Sequence, residues 1–131
     1  MKYMLLIYTA ENSYIDGERQ QCYEESTALC HDLAARRQFI AASPLQPVAT
    51  ATSVRVRDGK PTVTDGPFAE AREVLGGYWM IQAASREEAI EWAKRCPGGE
   101  NEVIEVRQVQ EMSDFPEDVR RAAAGFDALG T

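Results

Sequence analysis

Cysteine, histidine and basic side chains are all scarce in this chain. Three cysteines stand among 131 residues, at positions 22, 30 and 96, and no two form a Cys-x-x-Cys pair. An odd count without close pairs argues against a disulfide scaffold and against a zinc knuckle. Cys22 and Cys30 fall on one expected helix, separated by about 12 Å of rise, too far to bridge or to share an ion. The sequence therefore predicts buried, reduced thiols. His31 is the single histidine, and with scattered carboxylates it makes no ligand set of characteristic spacing, so no metal and no cofactor are expected. Lys and Arg number 14 against 21 Asp and Glu, a net charge of -7. That balance disfavours a dominant role in nucleic-acid binding, which needs a positive patch, although Arg36, Arg37, Arg55 and Arg57 are enough for a local one. No run approaches the roughly 20 apolar residues of a membrane span, so no membrane partner is expected. The opening MKYMLLIYTAENS superficially resembles a secretion signal, but its apolar stretch ends after Tyr8 and no convincing cleavage site follows. It reads as a first strand, and the cytoplasm is the expected location. There is no GxGxxG, no GK[ST] phosphate loop and no GxSxG elbow.

What is present suits one ordinary domain, at 131 residues with 44% hydrophobic content. Residues 2–8, KYMLLIY, predict a largely buried strand. Residues 9–18 are polar and predict a loop. From about Arg19 to Gln38 the pattern is helical, with Cys22, Leu29, Leu33 and Ile40 near one stripe and Phe39 and Ile40 leading towards the core. His31 falls away from that stripe and predicts an exposed side chain. Residues 41–49, with Pro44 and Pro47, predict a bend. Residues 50–64 predict a hairpin around Asp58-Gly59, with Val54 and Val56 on one face and Arg55 and Arg57 on the other. Residues 76–83 predict a strand entered through two glycines. Ser85 and Glu88 make a capping box for a second helix, stopped at Pro97-Gly98-Gly99. Residues 102–109 predict the last strand.

That order is close to β-α-β-β-α-β with an inserted hairpin, an α+β, ferredoxin-like arrangement with both helices on one face of an antiparallel sheet. One domain is expected over 1–109, followed by a C-terminal extension over 110–131 with a short helix after Pro116. Along the first strand Tyr3, Leu5 and Ile7 share one face, while Met4, Leu6 and Tyr8 share the other. An apolar second face left in water is costly, so the patterning predicts a homodimer.

The stretches SPLQP, ATATSVRVRDGKPTVTDGPFAEAREVLGGYWMI and EAIEWAKRCP, together with KYMLLIY, resemble the DGPF branch of the YCII-related family over roughly residues 1–109. The resemblance implies a ferredoxin-like dimeric α/β barrel, related in architecture to muconolactone isomerase. Some members of the broader family show a histidine and an aspartate in a cleft. The matching aspartate here is Asp65, whereas residues 23–25, where the histidine would fall, are Tyr-Glu-Glu. Ala42 and Ser43 stand where relatives often carry glycine and glutamate.

Asp65 leads the candidate site as an acid or base, although aspartate before glycine equally serves a turn. Arg55 and Arg57 share a polar face that can clamp a carboxylate or simply meet solvent. Pro67 sets the turn, and Phe68 covers a cleft or fills the core. Gly76 and Gly77 admit a ligand close to the backbone or mark a bulge. Tyr78 and Trp79 point to opposite faces of their strand, where either lines a pocket or packs. Glu70, Arg72 and Glu73 suggest a charged rim near the same turn. Two functions follow: a small enzyme acting on an anionic small molecule in a cleft near the dimer interface, or a non-catalytic module that binds a small molecule or a regulatory protein partner.

Overall fold

Strand β1 (Lys2–Ala10) runs through the middle of a four-stranded sheet. On one side it pairs with β5 (Glu73–Gln82) and on the other with β6 (Val103–Gln108), and β2 (Phe39–Pro44) lies outside β5. The three pairings are antiparallel. The computed structural model describes residues 1–10, 16–68, 73–98 and 102–126; Asn12 and its neighbours in the predicted loop, and Gly99 of the predicted stop signal, lie outside that set. Among the described residues no helix is long and apolar enough to cross a membrane.

The strand alternation read from the sequence sets the core. Tyr3 and Leu5 of β1 and Trp79 and Ile81 of β5, with Ala83 just beyond β5, turn towards α1 (Asp16–Ala35) and α2 (Arg86–Arg95), which supply Leu29, Leu33, Ala89 and Trp92. Leu5, Leu33 and Ile81 are completely buried. Each large apolar side chain removed from water in this layer contributes roughly 1.5–3 kcal/mol. Met4, Leu6 and Tyr8 face the other way and are half-buried, beside Tyr78 and Met80.

Local signals place the helices. The Ser85 hydroxyl accepts the Glu88 N–H at 3.2 Å, the first half of the predicted capping box. α1 ends in a Schellman turn: the Gln38 N–H donates to the Leu33 carbonyl and the Arg37 N–H to the Ala34 carbonyl. The left-handed position falls on Arg37, at φ 58°, rather than on a glycine. Trp92 then ties the helices together. Arg95 and Arg36 stand over its ring at 4.8 and 5.4 Å, and Arg95 also pairs with Asp32 of α1. As the helical angle predicts, His31 is exposed.

Three expectations need correction. Residues 39–44, expected to lead into the core and bend, form edge strand β2, with Phe39 and Ile40 both partly exposed. Pro44 is tolerated there because an edge strand has one side free of ladder bonds, and the ladder runs on through the Leu45 N–H to the Gly76 carbonyl. The two glycines lie inside β5 rather than at its entry, since β5 begins at Glu73. Finally, the dimeric α/β barrel is not what these sheets form. Neither sheet closes among the described residues, because β2 and β6 lie at opposite edges of the four-stranded sheet and the inserted hairpin makes a sheet of its own. A barrel requires its edge strands to pair. The architecture is an open α+β fold.

The hairpin consists of β3 (Thr52–Arg57) and β4 (Lys60–Asp65). Asp58 and Gly59 have φ of 51° and 74°, the positive pair that a two-residue type I′ turn requires. After β6 come a 3₁₀ turn (Met112–Asp114) and α3 (Glu117–Ala122).

Candidate functional site

The register of the hairpin decides which candidate residues meet. Thr52 pairs with Asp65, Val54 with Val63 and Val56 with Pro61, all on one face. Ser53 pairs with Thr64, Arg55 with Thr62 and Arg57 with Lys60, all on the other. Asp65 and the two arginines, read from the sequence as one acidic and basic set, are thus separated by the hairpin itself.

Asp65 is exposed at the end of β4, and its carboxylate makes no hydrogen bond or ion pair among the described residues. It does not tie down the turn, which backbone and a neighbour hold instead. The Gly66 N–H donates to the Ala51 carbonyl and the Ser53 hydroxyl donates to the Gly66 carbonyl, both at 2.7 Å. Gly66 takes φ 103°, a conformation open to glycine. Arg55 and Arg57 are exposed and likewise without an ion pair among the described residues. Arg57 faces Lys60, a like-charge pair across the ladder.

A shallow depression of about 420 Å³ is lined by Thr52, Ser53, Val54, Arg55 and Phe68. Consecutive residues from both faces line it, so it follows the edge of β3. It offers one guanidinium, two hydroxyl-bearing residues and an aromatic ring. Phe68 is 79% exposed, so it belongs to this groove and not to the core. Pro67 is exposed in the turn that carries it. Thr52 and Ser53 carry no site signal in the sequence, and Val54 reads there only as part of the hairpin's apolar face.

The remaining candidates lie in the main sheet. Gly76 is the extra residue where the ladder passes from Ile7 opposite Gly77 to Tyr8 opposite Leu75. A Cβ on Gly76 would stand 2.8 Å from the Thr9 Cγ2, and one on Gly77 would stand 3.0 Å from the Ser43 carbonyl oxygen and 3.2 Å from the Pro44 Cα. Both glycines thus let neighbouring strands approach. Trp79 is in the core, while Tyr78 is half-buried on the open face opposite Ser43. Glu73 is exposed; Glu70 and Arg72, the rest of the expected rim, lie outside the described residues.

The cysteines are half-buried and unbridged. Burial, and secondarily the neighbouring Cys30, pushes the Cys96 thiol up to about 12, and burial also raises Cys30. Neither is a ready thiolate, the form a nucleophile or metal ligand requires. No group of three or more His, Cys, Asp or Glu positioned to hold a metal occurs among the described residues.

An open α+β sheet with an outlying hairpin is the class of protein these features define. The YCII-related domain model matches residues 1–113, and the chain belongs to the YCII-related family. It is also similar to an uncharacterised protein of Rhizobium meliloti (strain 1021), at 35% identity over 101 residues that cover 72% of this chain and 78% of the relative.

Proposed function

We propose that this YCII-related protein is a small-molecule-binding module that holds an aromatic or similarly flat carboxylate in the groove at the foot of its hairpin, and that it works as a homodimer. The groove's composition carries this reading. Arg55 supplies a guanidinium that pairs with no carboxylate among the described residues, and such a group binds carboxylates in bidentate fashion. Phe68 supplies an apolar wall, and the Thr52 hydroxyl supplies a further polar contact. Within the family, the run Asp65-Gly66-Pro67-Phe68 followed by Leu75-Gly76-Gly77-Tyr78-Trp79 supports a place in the DGPF branch.

A catalytic role for Asp65 is the second reading. It is favoured by a carboxylate that is unpaired among the described residues and whose cross-strand partner Thr52 lines the groove. There Asp65 takes or gives a proton at the rim while Arg55 holds the substrate's anionic end. Arg57, Pro67, Gly76, Gly77, Tyr78 and Trp79 take no direct part in either reading: they shape the hairpin, the turn and the sheet around the groove.

Homodimerisation follows from the second face of the sheet. Met4, Leu6, Tyr8, Tyr78 and Met80 form a half-buried apolar surface on the face opposite the core that α1 and α2 cover, and water contact there is unfavourable. A thermal melt with benzoate, and with benzamide as its neutral isostere, tests the binding role. Benzoate raises the melting temperature and benzamide does not, because ligand binding to the native state alone stabilises it. Equal shifts, or no shift with either compound, contradict the carboxylate site.

A further inference from the structure

We infer that the ligand of the groove is an aromatic dicarboxylate, whose first carboxylate meets Arg55 and whose second is held further along the hairpin by Arg57 and Lys60. The inference rests on the carboxylate-binding reading above and names the ligand's second charge.

The polar face of the hairpin carries Ser53, Arg55 and Arg57 on β3 and Lys60, Thr62 and Thr64 on β4. Three cations thus share a face that holds no acid, in a chain with 21 acidic and 14 basic residues. The hairpin's own acids lie off that face, Asp58 in the turn and Asp65 beside the valines. The ion pairs among the described residues lie on the helices and on β6, so none of them neutralises a cation of the hairpin.

The end of the ladder sharpens this imbalance. Arg57 and Lys60 stand directly opposite each other on the last rung before the turn, where like charges repel. A carboxylate between them replaces one repulsion with two attractions. The chain has acids in excess and places none there, which leaves the rung to an anion from outside.

The order of groups along the hairpin sets the shape of that anion. Phe68 and Thr52 lie at the foot, Arg55 comes next, and the rung of Arg57 and Lys60 ends the ladder. An apolar wall is therefore followed by one anion-binding position and then by a second. Arg55 and Arg57 are two residues apart on one face, a spacing of about 6.8 Å. Two carboxylates separated by two methylene groups span most of that distance, and the long side chains close the rest. A ring placed beside the first carboxylate then rests against Phe68. All three cations are exposed, so salt screens their pull and charge is discriminated best at low ionic strength.

Calorimetric titration of the full chain at low salt tests the second position, with 2-phenylglutarate beside its 5-amide. The amide keeps the shape, the ring and the first carboxylate but loses the second charge. Wild type should bind the dicarboxylate about tenfold tighter than the amide. Arg57→Ala and Lys60→Gln should each narrow that gap by weakening the dicarboxylate. Equal affinity of wild type for the two compounds overturns the inference and leaves the groove standing as a site for one carboxylate. A gap that persists at full size in both variants also overturns it, because the second charge is then held elsewhere. Binding of neither compound overturns the inference together with the carboxylate site on which it rests.

Discussion

Asp65 and Arg55 stand on opposite faces of one hairpin, Asp65 beside Thr52 and Arg55 beside Thr62. Side-chain direction alternates along a strand, so the odd offset between Thr52 and Arg55 fixes this separation. The two side chains therefore make no contact across the hairpin. Arg55→Ala and Asp65→Asn should change the unfolding free energy additively, within about 0.5 kcal/mol, as measured by chemical denaturation of both singles and the double.

Gly77 is held by sheet packing. A methyl group there meets the Ser43 carbonyl oxygen at 3.0 Å and the Pro44 Cα at 3.2 Å, both backbone atoms of edge strand β2. Gly77→Ala should destabilise the protein by roughly 1–3 kcal/mol, the usual cost of forcing extra volume into a packed site. Urea denaturation reads that loss. A loss of ligand binding at full stability would instead mark Gly77 as part of a binding surface.

Arg37 occupies the left-handed position after α1 at φ 58°. A β-carbon is unfavourable there, and glycine is the usual occupant. Arg37→Gly should stabilise the chain by roughly 0.5–1 kcal/mol. The side chain makes no hydrogen bond or ion pair among the described residues that would offset the gain. A higher melting temperature checks the prediction.

Cys96 sets an alkaline limit. Its thiol has an ordinary value of 9.0 and is pushed up to about 12 in the folded chain, chiefly by burial and then by Cys30. Between those values the unfolded chain has lost a proton that the folded chain keeps. Stability is thus full below about pH 9 and falls as pH rises towards 12. Denaturation midpoints measured along this range should fall more steeply for wild type than for Cys96→Ala.

Much of the fold was legible because its signals are local. The alternation in KYMLLIY assigned Tyr3 and Leu5 to one face, Asp58-Gly59 named the hairpin turn, and Ser85 with Glu88 named the second helix start. Strand β2 was hidden because FIAASP has small residues and a proline, and its pairing with β5 comes from the tertiary ladder rather than from its own pattern. Phe68 was ambiguous for a similar reason. An aromatic residue after a turn reads alike whether it packs or lines a groove, and only the outlying position of the hairpin makes it exposed. At the candidate site, the split between the valine and arginine faces was readable, whereas the place of Asp65 depended on the cross-strand register.

The most direct measurement is calorimetric titration of benzoate into wild type, Arg55→Ala and Arg57→Ala. Both arginines share a face of the hairpin, yet Arg55 alone of the two lines the groove. Saturable binding to wild type, weakened by about tenfold or more in Arg55→Ala and unchanged in Arg57→Ala, is the predicted result. Absence of binding to wild type, or equal affinity in wild type and Arg55→Ala, would contradict the groove as the functional site.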